Sequence, residues 1–185
     1  KLHYFDYINN SKKKLKKDIA QNLIYNWIEN YQFKSGIGWD PYPTSIRIIN
    51  WITWSWNNKF KEKKVIENLL FQIRYLSKNL EWHILGNHLL TNAKSLIFAG
   101  LFFEGNEARK WLKTGIKILE DQLDEQVLKD GGHFELSPMY HSLFLKDLIE
   151  IYHLAKKNNL YFSKNFIQKI LSKINKMFKW LELMC

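Results

Sequence analysis

The 185-residue sequence has little of what interrupts a helix or cross-links a chain. It contains three prolines, eight glycines and one cysteine, Cys185. So few prolines and glycines favour long helices over a strand-rich fold, and a lone cysteine excludes an internal disulfide. The longest strongly apolar run, 96–103, is far shorter than the roughly 20 residues that a membrane-spanning helix needs. The sequence therefore predicts a helical chain with no membrane span.

Acidic residues are also scarce. There are 18 Asp and Glu against 28 Lys and Arg, a formal net charge of +10, while 46% of the residues are hydrophobic, as in globular proteins. A positive excess attracts polyanions. The densest lysine cluster, 12–17, is interpreted as the solvated face of a helix. Nucleic-acid binding would need basic residues on one recognisable element, and here the lysines are scattered, so no nucleic-acid partner is expected.

Apolar periodicity predicts seven helices. The first is capped by Ser11 and carries one apolar stripe, and the second begins at Thr44 or Ser45 after a loop that contains two glycines and two prolines. The stripe consists of Leu15, Ile19, Leu23 and Trp27. The other predicted helices span about 61–78, 86–103, 106–128, 138–157 and 163 to the C-terminus, and Ser137 and Ser163 are the expected N-caps of the last two.

Short connections between these helices predict antiparallel helical hairpins within one domain, 1–185. A helical bundle and a toroid of hairpins both satisfy this pattern. The sequence starts at Lys1 and stops inside a helical pattern. It is therefore expected to be a piece of a longer protein.

The second predicted helix carries an unusual polar and aromatic face. Arg47, Asn50, Trp51 and Trp54 follow one another at helical spacing and share one side of the helix. Arginine binds carboxylate or sulfate groups, and indole rings stack on sugars. The same residues also fit a partly buried aromatic face on which the arginine pairs with an acid. Trp39 and Tyr42 in the preceding loop share this ambiguity.

Asn87 and His88 open the leucine-rich fourth helix, where a cleft would reach them. A histidine beside leucines is also a common structural residue, so this pair alone does not decide between the two roles. His83 and His88 are five residues apart, which is not the spacing that directs two imidazoles at one metal ion. No metal site is predicted.

A third group of polar residues surrounds the start of the sixth helix. Gly131-Gly132 allow a tight turn or a close approach to a ligand, and His133, Glu135, Tyr140 and His141 follow within a few residues. Tyr140 and His141 are expected in the first helical turn, whose positive end mildly favours a phenolate.

Three stretches, 41–47, 86–90 and 130–141, together resemble the helical domain of the heparinase II/III family of polysaccharide lyases. The resemblance implies an incomplete (α/α) toroid followed by a β-sandwich domain that lies outside this sequence. It also implies cleavage of uronate-containing anionic polysaccharides by β-elimination, without a cofactor. A further catalytic histidine is expected after residue 185, so this chain alone is not expected to be a complete catalyst. The resemblance also suggests a bacterial, periplasmic protein.

By the same resemblance, Asn87, His88 and Tyr140 form the catalytic core. Asn87 donates to the uronate carboxylate, His88 is the candidate base, and Tyr140 either protonates the leaving oxygen or acts as the base. The remaining candidates are expected to bind substrate or to orient the catalytic groups: Arg47, Asn50, Trp51, Trp54, Trp39, His133, Glu135 and His141.

Two other functions fit parts of the pattern. A helical-toroid glycoside hydrolase would need two carboxylates that flank the scissile bond, and Glu135 has no convincing partner. A non-catalytic module could bind an acidic glycan through Arg47, Trp51 and Trp54. Such a module would tolerate Tyr140→Phe, whereas a lyase would lose turnover.

Overall fold

The computed structural model describes residues 1–10 and 15–184. Within them the regular structure is helical, and the only β pairing is an isolated bridge between Val127 and His133. The seven α-helices are α1 (Lys17–Asn30), α2 (Pro41–Asn58), α3 (Lys63–Leu76), α4 (Gly86–Phe102), α5 (Asn106–Gln126), α6 (Pro138–Lys157) and α7 (Lys164–Met184). Three short 3-10 helices span Leu2–Tyr4, Asp6–Asn9 and Ile37–Trp39. No helix of the described part combines the length and apolarity needed to cross a bilayer.

The chain divides into two compact units, Lys1–Ile116 and Lys117–Cys185, with the division inside α5. In the first unit, α2 and α4 run in the same direction. Their N-terminal turns meet where Tyr42 stacks on His88, and their C-terminal turns meet where Trp56 contacts Phe102. The core of this unit is apolar and aromatic, with Trp51, Ile52, Leu89, Ala93 and Leu96 among its buried residues.

The start of α2 differs from its prediction. The helix begins at Pro41, with Asp40 as its N-cap, and not at Thr44 or Ser45. The first backbone N–H groups of a helix have no partner within it, so prolines at 41 and 43 remove no helical hydrogen bond. The two glycines of the predicted loop therefore lie before α2, whereas both prolines belong to its first turn.

The first helix also differs from its prediction. It begins at Lys17, and the predicted cap, Ser11, lies outside the described residues. Its buried residues are Ala20, Ile24 and Trp27. Ile19 and Leu23 of the predicted stripe are 44% and 38% exposed. The buried stripe of α1 thus includes Ala20, whose small side chain does not stand out in a pattern of large apolar residues.

In the second unit, α6 and α7 are antiparallel, since His141 near the start of α6 contacts Met177 and Trp180 near the end of α7. Both predicted N-caps are confirmed. The Ser137 hydroxyl accepts from the Tyr140 N–H at 3.5 Å, and the Ser163 hydroxyl accepts from the Phe166 N–H at 3.1 Å.

Candidate functional site

His88 lies in the first turn of α4, half-buried, with its imidazole held from two sides. Its Nδ1 is 3.0 Å from the Glu81 carboxylate. The Tyr42 ring stacks on the imidazole with centroids 4.3 Å apart and planes 25° apart. Within the described residues, Nε2 makes no hydrogen bond. The ring is therefore fixed on one edge and available on the other.

Glu81 precedes α4 and is buried, with its side chain only 6% exposed. One carboxylate oxygen faces His88, and the other accepts from the Asn92 side-chain amide at 3.0 Å. Asn92, completely buried, also accepts from the Glu81 backbone N–H at 2.8 Å and donates to the Ser45 hydroxyl at 3.0 Å. This chain of hydrogen bonds connects α2, the segment before α4 and α4 itself.

Asn87 is half-buried beside His88 in the first turn of α4. Its backbone carbonyl accepts from the Thr91 hydroxyl at 2.8 Å, while its side-chain amide has no hydrogen-bond partner in the described part of the chain. The preceding backbone is unusual, because Leu85 has φ 60° and ψ −149°, a combination that is costly for a residue with a side chain. The structure thus brings together an amide with free donors and an anchored imidazole.

Arg47 lies in the interior of the first unit and not at its surface, with 0% exposure. Its guanidinium donates to the Gln72 side chain at 2.8 Å, to the Gly38 carbonyl at 2.7 Å and to the Thr44 hydroxyl at 3.2 Å. It also lies 3.9 Å from the centroid of the Trp27 ring. The expectation that Arg47 contacts substrate is therefore wrong, since its donors are already used inside the core.

The other predicted binding residues of this face are interior too. Trp51 is 0% exposed, and Trp39 and Trp54 are each 3% exposed, so none of these indoles can stack on a sugar. Asn50 donates to the Tyr4 carbonyl at 2.8 Å and accepts from the Asn9 amide at 3.1 Å. It holds the N-terminal segment. The aromatic-core interpretation was correct for this face, although in the described part of the chain Arg47 donates to neutral groups and to no acid.

His133 is 1% exposed in the second unit. Its Nε2 is 3.1 Å from the Gln126 side-chain oxygen, and Nδ1 is 3.4 Å from the Glu135 N–H, which donates to it. Burial, assisted by neighbouring His141, lowers the pKa of His133 to about 4. A buried histidine does not contact substrate directly, so the prediction of substrate contact by His133 is wrong. Its expected role in orienting the catalytic groups stays a prediction.

His141 is also completely buried. Its Nε2–H donates to the Met177 carbonyl at 3.0 Å, its ring stacks on Trp180 at 4.5 Å, and its Nδ1 has no partner among the described residues. Burial lowers its pKa, and the hydrogen bond to Met177 opposes that shift. Substrate contact by His141 is therefore a wrong expectation as well. Its role is to attach α6 to α7.

Two candidates of the second unit remain accessible. Tyr140, in the first turn of α6, is half-buried, and its hydroxyl forms no hydrogen bond within the described residues. Glu135 is exposed. Gly131 and Gly132 are buried, and their close neighbours are the Lys176 backbone and the Trp180 ring. These glycines permit contact with α7 and leave no gap for a ligand.

A profile of the heparinase II/III N-terminus matches residues 7–184. The chain belongs to the heparinase II/III N-terminus family. Two similar proteins are heparin-sulfate lyases of Bacteroides stercoris, 43% identical over 94 residues, and of Pedobacter heparinus, 38% identical over 93 residues. Each match covers 50% of this chain and 14% of the relative. The aligned part is thus a small fraction of those lyases.

Solved structures of the family have the same fold. A crystal structure of heparinase III superposes with a TM-score of 0.74 at 24% identity, covering 96% of this chain and 28% of the other. A heparan sulfate lyase mutant from Pedobacter heparinus gives a TM-score of 0.69 at 23% identity, covering 96% and 31%. The predicted fold class, an all-α part of a heparinase-type helical toroid, is confirmed.

Sequence reasoning missed Glu81, Asn92, Ser45 and Tyr42 as neighbours of the Asn87–His88 pair. One signal was available, because His88 and Asn92 are separated by four residues and share a helix face. The other three come from α2 and from the segment before α4, so their contacts depend on tertiary packing. Among the described residues, no cluster of three or more potential metal ligands occurs.

A separate cavity of about 780 Å³ opens in the first unit at the other ends of α2 and α4. Its lining includes Trp56, Phe60 and Phe102, with Lys59 and Lys61 beside them. None of the candidate catalytic residues contributes to it. The cavity and the Asn87–His88 pair therefore occupy opposite ends of the same two helices.

Proposed function

We propose that the protein containing this chain is a polysaccharide lyase that cleaves a uronate-containing anionic polysaccharide by β-elimination. The observation that carries the proposal is the Asn87–His88 pair of a heparinase II/III family chain, placed at an accessible helix start with one amide and one imidazole edge unoccupied. Because the relatives are named heparin-sulfate lyases, a sulfated uronate polymer is the first substrate to test.

The chemistry requires removal of the C5 hydrogen next to a carboxylate. The electron pair left at C5 forms the C4=C5 double bond as the C4–O4 bond breaks, and O4 takes a proton. Negative charge builds up on the carboxylate during this step, so a neutral donor such as the Asn87 amide lowers the barrier. His88 accepts the C5 proton through Nε2 in this proposal, and Tyr140 protonates O4.

The same proposal includes a periplasmic location and further catalytic groups outside this chain. The alternative, a module that binds acidic glycan without cleaving it, required Arg47, Trp51 and Trp54 at the surface. Their burial removes the binding face on which that alternative depended.

The test is an ultraviolet assay of the unsaturated uronate product, with the full-length protein on heparan sulfate, alginate and other uronate polymers. The wild type should produce a rise in absorbance. Asn87→Ala should lower kcat by about 10²–10³, because one preorganised donor is lost, and Tyr140→Phe by about 10²–10⁴. Glu107→Gln, on an exposed residue, is the matched control. Binding without any rise on any polymer would refute the proposal.

A further inference from the structure

We propose that Glu81 is the positioning residue that holds His88 in the Nδ1–H tautomer, so that Nε2 keeps the lone pair that accepts the substrate proton. The catalytic meaning of this inference rests on the lyase function proposed above. The assignment of the His88 tautomer does not depend on that function, because it follows from which atoms around the buried Glu81 carboxylate donate hydrogen bonds and which accept them.

The Glu81 backbone fixes the orientation of the Asn92 side chain. A backbone N–H can only donate, so the Asn92 atom that lies 2.8 Å from it is the oxygen Oδ1. The other end of the same amide is then Nδ2, which donates to Glu81 Oε2 and to Ser45 Oγ, both at 3.0 Å. Oε2 of Glu81 is therefore an acceptor and carries no proton.

The second carboxylate oxygen determines the state of His88. With Glu81 in its ionised form, both of its oxygens only accept hydrogen bonds, and the 3.0 Å contact between Oε1 and Nδ1 then requires the proton on Nδ1. In a neutral imidazole, Nε2 is then unprotonated. A flip of the ring by 180° would place Cδ2 and not a nitrogen against Oε1, so the hydrogen bond to Glu81 fixes which edge of the imidazole faces the carboxylate, while the stacked Tyr42 ring keeps the imidazole in this plane.

The buried charge also favours the protonated product of the step. Among the described residues, no lysine or arginine forms an ion pair with Glu81, and its side chain is almost entirely shielded from water. When Nε2 takes a proton from the substrate, the resulting imidazolium faces the Glu81 carboxylate. A preorganised opposite charge at that position stabilises the charge that develops during proton transfer.

Glu81→Gln gives a sharp test. Asn92 is fixed by the backbone and still presents Nδ2, so the side-chain oxygen of the introduced glutamine must face Asn92 and its NH₂ must face His88. That NH₂ donates to Nδ1, which moves the histidine proton to Nε2 and removes the acceptor. We expect kcat to fall by about 10²–10⁴, with KM little changed because Glu81 does not touch the polymer.

A second substitution should reverse the effect. With Asn92→Asp added to Glu81→Gln, the introduced aspartate accepts from the NH₂ of the introduced glutamine and from the backbone N–H. The glutamine oxygen then turns to His88 and accepts from Nδ1–H again. The double variant should therefore recover kcat by on the order of tenfold or more relative to Glu81→Gln. A merely structural role for Glu81 predicts no such rescue.

The tautomer is measured directly by nitrogen NMR of the full-length protein labelled with ¹⁵N-histidine, with His88→Gln used to assign the signal. Wild type and double variant should show a protonated Nδ1 at neutral pH, and Glu81→Gln a protonated Nε2. Glu67→Gln, on an exposed residue paired with Lys63, should change neither kcat nor the spectrum. Circular dichroism melts check that each variant is folded.

The outcomes separate the two proposals. A wild type without lyase activity, but with the expected tautomers, would sink the proposed function and leave the role of Glu81 standing. Unchanged kcat and an unchanged ¹⁵N signal in a folded Glu81→Gln variant would overturn the inference and leave the lyase function intact.

Discussion

At the scale of single residues, Arg47 shows how burial changes the role of a polar side chain. Burial lowers the pKa of Arg47 to about 9, still above neutrality, so the guanidinium remains charged inside the first unit. Its charge is compensated by carbonyl, amide and hydroxyl oxygens and by the faces of Trp27 and Trp39. A cation so enclosed contributes to folding and not to recognition of a polymer.

Arg47→Met should therefore destabilise the fold without weakening substrate affinity. The substitution leaves the Gly38 carbonyl and the Gln72 oxygen without their donor, and the free energy of unfolding should fall by about 3 kcal/mol. Arg74→Met, at an exposed arginine paired with Glu107, should lower the free energy of unfolding far less, because water screens an exposed ion pair. Urea titration of the full-length protein measures both. If the Arg47→Met variant stayed as stable as the wild type but no longer bound polysaccharide, Arg47 would be a substrate-binding residue after all.

The sequence allowed Asn87 and His88 to be placed at a helix start, because helix boundaries are local features. It did not reveal that the Arg47 face points inward. Helical spacing defines which residues share a face, but whether that face meets solvent depends on what covers it. Here the cover comes from the N-terminal 3-10 helices and from Trp39, whose positions are set by long-range packing.

At the scale of elements, helix starts that are capped by a nearby side chain were predictable from the sequence. Contacts between separate helices were not. Ser137 and Ser163 cap their own helices by local hydrogen bonds. The α2–α4 contact, in contrast, joins Ser45, Glu81 and Asn92 from three separate stretches. No local pattern connects these residues, so the environment of His88 emerged only from the structure.

Gly131 offers a test of how closely the turn before α6 packs on α7. Gly131 and Gly105 share a φ of +95°, but a Cβ at Gly131 would clash with the Lys176 carbonyl oxygen, whereas a Cβ at Gly105 would meet no atom of the described residues within 4 Å. Gly105→Ala should cost only the backbone strain, about 1–2 kcal/mol. Gly131→Ala should cost about 1–3 kcal/mol more, through overpacking.

The comparison is made by urea denaturation, with both variants in the same protein. Because the two glycines have the same φ of +95°, the comparison corrects for the strain of a positive φ, and the remaining difference reports the contact with α7. Equal losses of stability would show that the turn can move away from α7 without cost, contrary to the packing described here.

At the scale of the whole chain, the helical class and the family fold followed from few prolines, few glycines and three motifs. The division into two compact units was not visible in the sequence, because the boundary lies inside α5 and no loop marks it. The interpretation of residues 1–185 as one domain remains a prediction. Each unit buries its own apolar residues, and the units contain different titratable groups.

Mild acid should therefore open the second unit before the first. His133 has a folded-state pKa of about 4 against an ordinary value of 6.5, so the unfolded form binds a proton first as the pH falls. The stability contributed by neutral His133 is complete above pH 6.5 and is lost between about 6.5 and 4. His141 shifts in the same direction. In the first unit, burial lowers the pKa of the partly buried N-terminal histidine His3 as well, with a further contribution from Arg47.

Hydrogen exchange with mass spectrometry, corrected for intrinsic rates, measures this effect in each unit. Protection of α6 and α7 should fall by up to about tenfold per pH unit in that window through His133 alone, and protection of α2 and α4 should fall less. His133→Gln should flatten the dependence, while His153→Gln, at an exposed position, should leave it unchanged. Equal losses in both units would contradict the prediction.

The hydrogen-bonded chain from Ser45 through Asn92 to Glu81 also constrains how this protein can evolve. Each member supplies the donor or acceptor that another one needs, so a single exchange strands a polar atom away from water, at a cost of about 1–3 kcal/mol. Related sequences should therefore change these positions jointly or leave them alone. We expect the three residues to vary together among related sequences, although Ser45 and Asn92 are 47 positions apart in the chain.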